Sequence, residues 1–508
     1  MNSAAWQRER AGVFFGLDGA QSATLAGAAV CLLLVIVLHS WVALGVLAPL
    51  GGLLAASALV RIEGRAPVQW SVTALAHAAV RLRGAHRFKA ATPWQAIDGD
   101  GELVEPEDPG DEWDLPGILA PLRLLEVDDG RGGKVAVVHH RVDQTYTAVA
   151  RVTHPGLTLV STAKAQNRVQ GWAAWLAQQC VEDGQIVRVG AYHWCEPGET
   201  DELAAWTARH VRPDAPPQAV ELVREVIAQD RRRVSEHVSY LAVTLSAARS
   251  RREIKAAGGG DRGACAVLAR RLGPVAGSVL AGGVEVERWL SPRELAGVIR
   301  EAFAPGAARD LSARRLAALD PGWRGAEPGL PARFAGPTSA ETHWGLYRHD
   351  DALSVVAEIH WPRTPRDASM LSGLVSSSGR ARRQVAIVYE PLPPRVAERT
   401  LAMDRTRRDV AIRLRHRTGQ IAPMREHKEL EVATVQDAEL AAGHGLLRFA
   451  AYVAVTVTDP EDLEAAWDEL CADAASTGLV LRRCSGWVDA AFAAAAVPVG
   501  LGLPGRQR

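Results

Sequence analysis

The sequence predicts an α+β protein: an N-terminal two-helix transmembrane hairpin followed by cytoplasmic ferredoxin-like α+β subdomains. Three observations predict it. The stretch from Leu25 to Val60 contains no Asp, Glu, Lys or Arg. Beyond residue 115 the chain alternates between short β-type runs and helical stripes. Those patterns come in two rounds of strand and helix, the order of helices laid on one face of an antiparallel sheet.

The membrane module is expected over residues 1–90. A bilayer core takes about 20 apolar residues per helical crossing, and Ala20 to Val60 offers enough for two. His39, Ser40 and Trp41 interrupt the run near its middle, where a tight turn beside an interfacial Trp belongs. The spans are placed at about 21–38 and 42–60. The apolar stretch is too long and begins too late for a cleaved signal peptide. Arg8 and Arg10 precede the hairpin, and Arg61, Arg65, Arg81, Arg83, Arg87 and Lys89 follow it. Basic flanks stay in the cytoplasm, so both termini and the large C-terminal part are expected there, in a multi-pass protein of the inner membrane. A juxtamembrane helix is expected at about 66–83, with Val68, Val72, Leu75, Ala79 and Leu82 on one side and Gln69, Thr73, His77 and Arg81 on another. An inner-leaflet helix and a small core helix fit this pattern equally well.

An acidic, Pro- and Gly-rich linker follows at 91–114. A first cytoplasmic α+β domain is read at 115–250: "LPGILAPLRLLEV" and "KVAVVHHRVDQTYTAVARVTH" as paired strands around the turn "DDGRGG", a helix in "AQNRVQGWAAWLAQQCV", a strand "IVRVGAYHWC", a helix over about Pro217 to Glu236 and a strand "HVSYLAVTLS". A second α+β region is read at 262–505. It opens with the helix "CAVLARRLGPVAGSVL" and the strand "GGVEVERWL". "SPRELAGVIREAF" then starts with a capping box of Ser291 and Glu294. A hairpin turning at His349 to Asp351, a strand "RRQVAIVYEPLPP", charged helices to about Arg417 and near Glu429 to Ala442, a strand, a helix capped at Asp459 with Pro460, a strand and a short apolar helix complete it.

Composition narrows the function classes. Net charge is zero, which gives no global case for nucleic-acid binding. The 58 basic residues are nearly all arginine, the codon signature of a GC-rich genome. The six cysteines are scattered without a C-x-x-C pair, so neither a structural zinc nor a disulfide framework is expected. His139 with His140, and His193 with Cys195, are the nearest approach to ligand pairs, and both are read as ordinary strand packing. "DGRGGKV" lacks the first glycine and the hydroxyl of a P-loop, since Asp128 and Val135 stand in their places. There is no G-x-S-x-G elbow. No catalytic residue, metal or cofactor is therefore expected.

Charge concentrates in one place: Arg380 to Arg417 holds eleven arginines and four acids. Arg382, Arg383, Arg405, Arg407, Arg408 and Arg413 are the candidate partner-binding residues. Such density suits an acidic protein face or a nucleic-acid backbone, while the near absence of stacking aromatics, Tyr389 being the only one, favours an ordinary solvated charged face.

"AGVFFGLDGAQSATLAGAA", "GRAPVQW" and "RRQVAIVYEPLPPRVAERT", together with "LPGILAPL" and "AYVAVTVTDPEDLEAA", resemble in their order the actinobacterial PrgI-like membrane protein family of conjugative, type IV secretion systems. "GLVLRRCSGWVDAAFAAAAVPVG" is similar to the stretch that precedes the nucleotide-binding domain in conjugative motor ATPases. The resemblance implies a non-catalytic subunit that docks a separate motor ATPase at the membrane, alongside other membrane subunits of the apparatus and the lipid bilayer. The same topology also resembles the EccE-type membrane subunits of type VII secretion, and a membrane-tethered enzyme is the remaining alternative.

Overall fold

The structure is a computed structural model. It describes residues 19–502 apart from 40, 61–65, 92–111, 131, 157–159, 198–206, 213, 231–234, 318–328, 362–367, 377–380, 418–423 and 444. The linker expected at 91–114 therefore lies mostly outside the described residues.

The chain opens with two apolar helices, Gly19–Leu38 and Trp41–Leu59. His39, at φ 43°, turns the backbone between them through the left-handed region. They run antiparallel and in contact: Gln21, near the start of the first, donates from Nε2 to the Ala58 carbonyl near the end of the second at 3.0 Å. A third helix, Pro67–Leu82, follows.

The remainder is built on one antiparallel sheet. Its strands are β1 (Arg87–Lys89), β2 (Leu122–Asp128), β3 (Lys134–His140), β4 (Thr145–Thr153), β5 (Ile186–Pro197), β6 (Ser235–Ser246), β7 (Glu285–Trp289), β8 (Ser339–Thr342), β9 (Tyr347–His349), β10 (Ala352–His360), β11 (Arg382–Pro391), β12 (Leu447–Val457) and β13 (Val480–Arg483). They lie in the order β1-β8-β9-β10-β12-β11-β5-β6-β4-β3-β2, with β13 also paired to β10 and β7 to β4. β7 comes from beyond residue 262 yet hydrogen-bonds to β4, so the first half of the sheet extends past the boundary expected between residues 250 and 262.

Side chains alternate between the two faces, and each face is covered by helices. On one, Thr162–Gln178, Gly260–Val279 and Asp462–Ser476 bury residues such as Trp175, Leu268 and Leu470 against Val243, Leu245 and Val453. On the other, Pro292–Phe303 and Val488–Ala496 share a core with Tyr192, Trp194, Ala242, Val356, Ala386 and Tyr452. The chain is thus a mixed α+β protein with a large antiparallel sheet.

The two halves repeat. Taking β4, β5, β6 and β7 as first to fourth, their order across the sheet is 4-1-3-2, and β10, β11, β12 and β13 have the same order. Registers correspond as well. Arg188, Thr244 and Thr147 are neighbours across β5, β6 and β4, while Arg382, Thr456 and Ser354 are neighbours across β11, β12 and β10. The hydroxyls meet in both, Thr147 with Thr244 at 2.9 Å and Ser354 with Thr456 at 2.7 Å. The halves join where β5 and β11 pair, from Arg383 opposite Cys195 to Tyr389 opposite Val189.

Local expectations hold at several points. Ser291 and Glu294 form the capping box, and the hairpin turns at Asp350 and Asp351. The cap expected at Asp459 shifts: Asp459 accepts from the Glu461 amide at 2.9 Å in a turn that also holds Pro460, and the helix begins at Asp462 with Glu461 in the N-cap position. The helix expected over Pro217 to Glu236 stops at Asp230, because β6 takes the chain from Ser235.

His349 is fully buried among Phe303, Tyr347 and Phe492. Its Nδ1 pairs with the Phe303 carbonyl, so Nδ1 carries the proton, and Nε2 accepts from Ser354 Oγ at 2.7 Å. Burial holds its pKa down at about 4. Between pH 6.5 and about 4 the unfolded chain takes up a proton that the native chain refuses, so this contribution, full above 6.5, is lost as pH falls through that window. His349→Asn is expected to flatten the acid slope of stability by on the order of 3 kcal/mol across it. Denaturation midpoints of the full chain at pH 7, 5.5 and 4.5 measure this; parallel slopes would contradict it.

Candidate membrane and partner interface

The helix Pro67–Leu82 is turned opposite to an ordinary surface helix. His77, on its polar side, is buried, and it meets the Trp344 ring edge-on at 5.5 Å. Trp70 packs on the same ring at 6.0 Å. Thr73 sits so close to Gly486 that a Cβ there would meet Thr73 Cγ2 at 2.5 Å, and Gly486 has φ +80°. Only glycine fits that contact without displacing the helix. Its apolar side faces outward: Leu75 is 71% exposed and Leu82 89%. Pairing of β1 with β8 then fixes the chain to the sheet edge immediately after the helix.

The apolar hairpin continues this surface. Leu33, Ile36, Val37, Val46 and Leu53 are exposed on its outside. By length and composition two described helices suffice to cross a membrane, Gln21–Leu38 and Gly260–Gly282, and Leu44–Leu59 is a shorter apolar helix. Gly260–Val279 lies in the core through Val267, Leu268, Leu272 and Val275, which removes it from consideration.

The arginine-rich segment divides in two. Arg382 and Arg383 are 4% and 2% exposed. Arg382 pairs with Glu196 at 2.9 Å, lies over the Trp194 ring at 5.6 Å and donates to the Glu301 carbonyl. Burial raises the Glu196 pKa, with Arg382 opposing the shift. Arg383 donates to Asp473 at 2.6 Å and to Glu469 at 3.0 Å, tying β11 to the helix Asp462–Ser476. Both side chains are thereby corrected from partner surface to internal ties: as strand residues they are packed on both faces, and their charges are already matched. Arg405 and Arg413 remain exposed on the helix Pro394–Arg417, paired with Asp437 at 3.2 Å and Asp409 at 2.7 Å. Arg407 and Arg408 share that helix, and their side chains lie outside the described ones. This helix and Met424–Ala441 form an arm between β11 and β12.

"DDGRGG" closes the β2–β3 hairpin, with the Gly133 amide donating to Asp129 Oδ1 at 2.9 Å. Sequence reasoning missed His77 and Trp344 as docking residues, because a helix's outward face is decided by what it packs on. The only signal was His77 on the polar stripe. The chain matches no protein-family model and no curated protein.

Truncation separates the two classes of arginine. Arg383→Ala is expected to cost about 3 kcal/mol, the low end for breaking a buried pair because its carboxylate partners are partly hydrated. Arg405→Ala should cost under about 1 kcal/mol, as for an exposed pair. Urea unfolding of the full chain compares them, and equal losses would refute the division.

Proposed function

We propose that this chain is a non-catalytic subunit of a conjugative, type IV secretion-like apparatus, spanning the inner membrane twice and holding a separate motor ATPase on the cytoplasmic side. The observation that carries the membrane part is the reversed helix Pro67–Leu82: its polar face is spent on the body, while Leu75 and Leu82 point away from it beside an apolar hairpin. An outward apolar face is stable where lipid covers it. Arg81 and Arg83 near its end would meet anionic headgroups. The basic residues flanking the hairpin support a reading in which the termini and the sheet are cytoplasmic.

The docking part rests on the arm. It leaves the sheet between β11 and β12, and its long helix presents Arg405 and Arg413 to solvent, an arrangement suited to steering an acidic face of a partner. Each half of the sheet reads as a ferredoxin-like unit, supported by the 4-1-3-2 order and by the connecting helices Thr162–Gln178 and Gly260–Val279 on one face of the first. The choice of apparatus and of motor rests on the resemblance of the sequence to the PrgI-like family and to the N-terminal region of conjugative ATPases.

Topology is checked with reporters. A fusion after Lys89 should report cytoplasm and an insertion at His39 the outside; export of the Lys89 fusion would overturn the hairpin.

The platform role is checked by co-purifying the cognate motor ATPase with wild type and with an Arg405→Glu, Arg413→Glu variant over a salt series. Recovery should fall with the variant and with salt, since opposed charge steers association, while each reversal, at an exposed ion pair, costs stability on the order of 1 kcal/mol. Equal recovery would remove the arm from the contact, and no recovery from wild type would count against the platform.

A further inference from the structure

Three imidazoles gather on the face of the sheet that carries the helix Thr162–Gln178. Across β5 and β6, His193 lies opposite Ser239 and Cys195 opposite His237. Across β4 and β6, Val152 lies opposite Ser239, which brings His154, two residues further, opposite His237. His193 Nε2 stands 3.1 Å from His237 Nδ1, and the two rings stack at 5.2 Å. The Ser239 hydroxyl is 2.9 Å from His193 Nδ1 and 3.2 Å from His154 Nε2.

Two opposite proton arrangements satisfy all of these contacts. In the one that suits a metal ligand, His193 Nδ1–H donates to Ser239 Oγ, and the Ser239 hydroxyl donates to His154 Nε2. His193 Nε2 is then a bare lone pair, aimed at His237 Nδ1. A hydrogen bond from the far ring nitrogen to a fixed acceptor is the device that orients metal-ligating histidines.

We propose that His193 Nε2 and His237 Nδ1 form a chelating site for a borderline divalent transition-metal ion such as Zn²⁺ or Ni²⁺. Two imidazole nitrogens bound at about 2.0–2.1 Å in a tetrahedral shell lie roughly 3.3–3.4 Å apart, so binding replaces the present 3.1 Å hydrogen bond: the pair opens slightly and each ring turns until its lone pair points at the ion. His237 gives its Nδ1 to the ion by carrying its proton on Nε2 instead, and no net proton is released. Among the described residues no set of three or more ligand side chains converges on one point. The site thus has two protein ligands among the described residues, and an affinity in the micromolar range rather than that of a closed structural site is expected. The site lies on strands of the first half, apart from the arginine-bearing arm, and is independent of the secretion role.

The test is calorimetric titration of the detergent-solubilised full chain with ZnCl₂ and with NiCl₂ at pH 7. Wild type should show one saturable site. His237→Gln, a change at an exposed position, should weaken it at least tenfold, and His193→Gln should do the same. His343→Gln, on a different part of the sheet, should leave it unchanged. Where the more buried His193→Gln lowers the unfolding midpoint, the His237 variant decides alone. Absence of saturable binding by wild type, or equal affinity in the His237 variant, overturns the proposal.

Discussion

The pairing of β5 with β11 is the contact on which the rest of the structure depends. It turns two four-stranded repeats into one sheet, and arginines on these strands reach across the join. Arg188, on β5, donates at 2.8 Å to the Gly500 carbonyl, just past the last helix of the second half. Arg382, its counterpart on β11, donates to the Glu301 carbonyl, in the helix Pro292–Phe303 of the first half. Each repeat is thus latched by the other's terminal segment. Carbonyls near a helix end lack partners within the helix, and a guanidinium satisfies them while matching the negative end of the dipole. A buried cation needs such acceptors, and Glu196 supplies charge balance for Arg382.

The join also accounts for the core. Phe303 and Phe492, from the terminal helices of the two halves, touch at 5.3 Å, and both contact His349. The chain of His349, Ser354 and Thr456 satisfies polar groups that would otherwise be orphaned between apolar helices and the sheet. Gly500 lies against Thr244 and Thr147, where a Cβ would come within 2.6 Å of the Thr244 hydroxyl, so the returning chain packs on the corresponding hydroxyl pair of the first half.

The attachment of the apolar hairpin follows a different rule. Elsewhere helices bury their apolar side; Pro67–Leu82 buries Gln69's neighbourhood, Thr73 and His77 and leaves its leucines outside. Trp344 fills the gap between that helix and the body, contacting both Trp70 and His77. The hairpin is therefore tied to the sheet edge through aromatic contacts and the short β1–β8 ladder, with its apolar exterior left uncovered by the other described residues.

Features set by a few adjacent residues were legible in the sequence. The break at His39, the Ser291 and Glu294 capping box, the turn after His349 and the failure of "DGRGGKV" as a P-loop each depend on local stereochemistry, and all but the last are matched by elements at those positions. The arginine cluster was visible only as density. Whether an arginine is a surface charge or an internal tie depends on which strand neighbours and helices close over it, so Arg382 and Arg383 parted from Arg405 and Arg413 only in three dimensions. The same holds for His193, whose partner is not Cys195 two residues away but His237 on the adjoining strand. Likewise β7 meets β4 through a register that no short window contains. Local backbone and capping preferences act within a few residues and are written in order along the chain; sheet register, burial and charge pairing join residues far apart, and only the packed tertiary structure decides them.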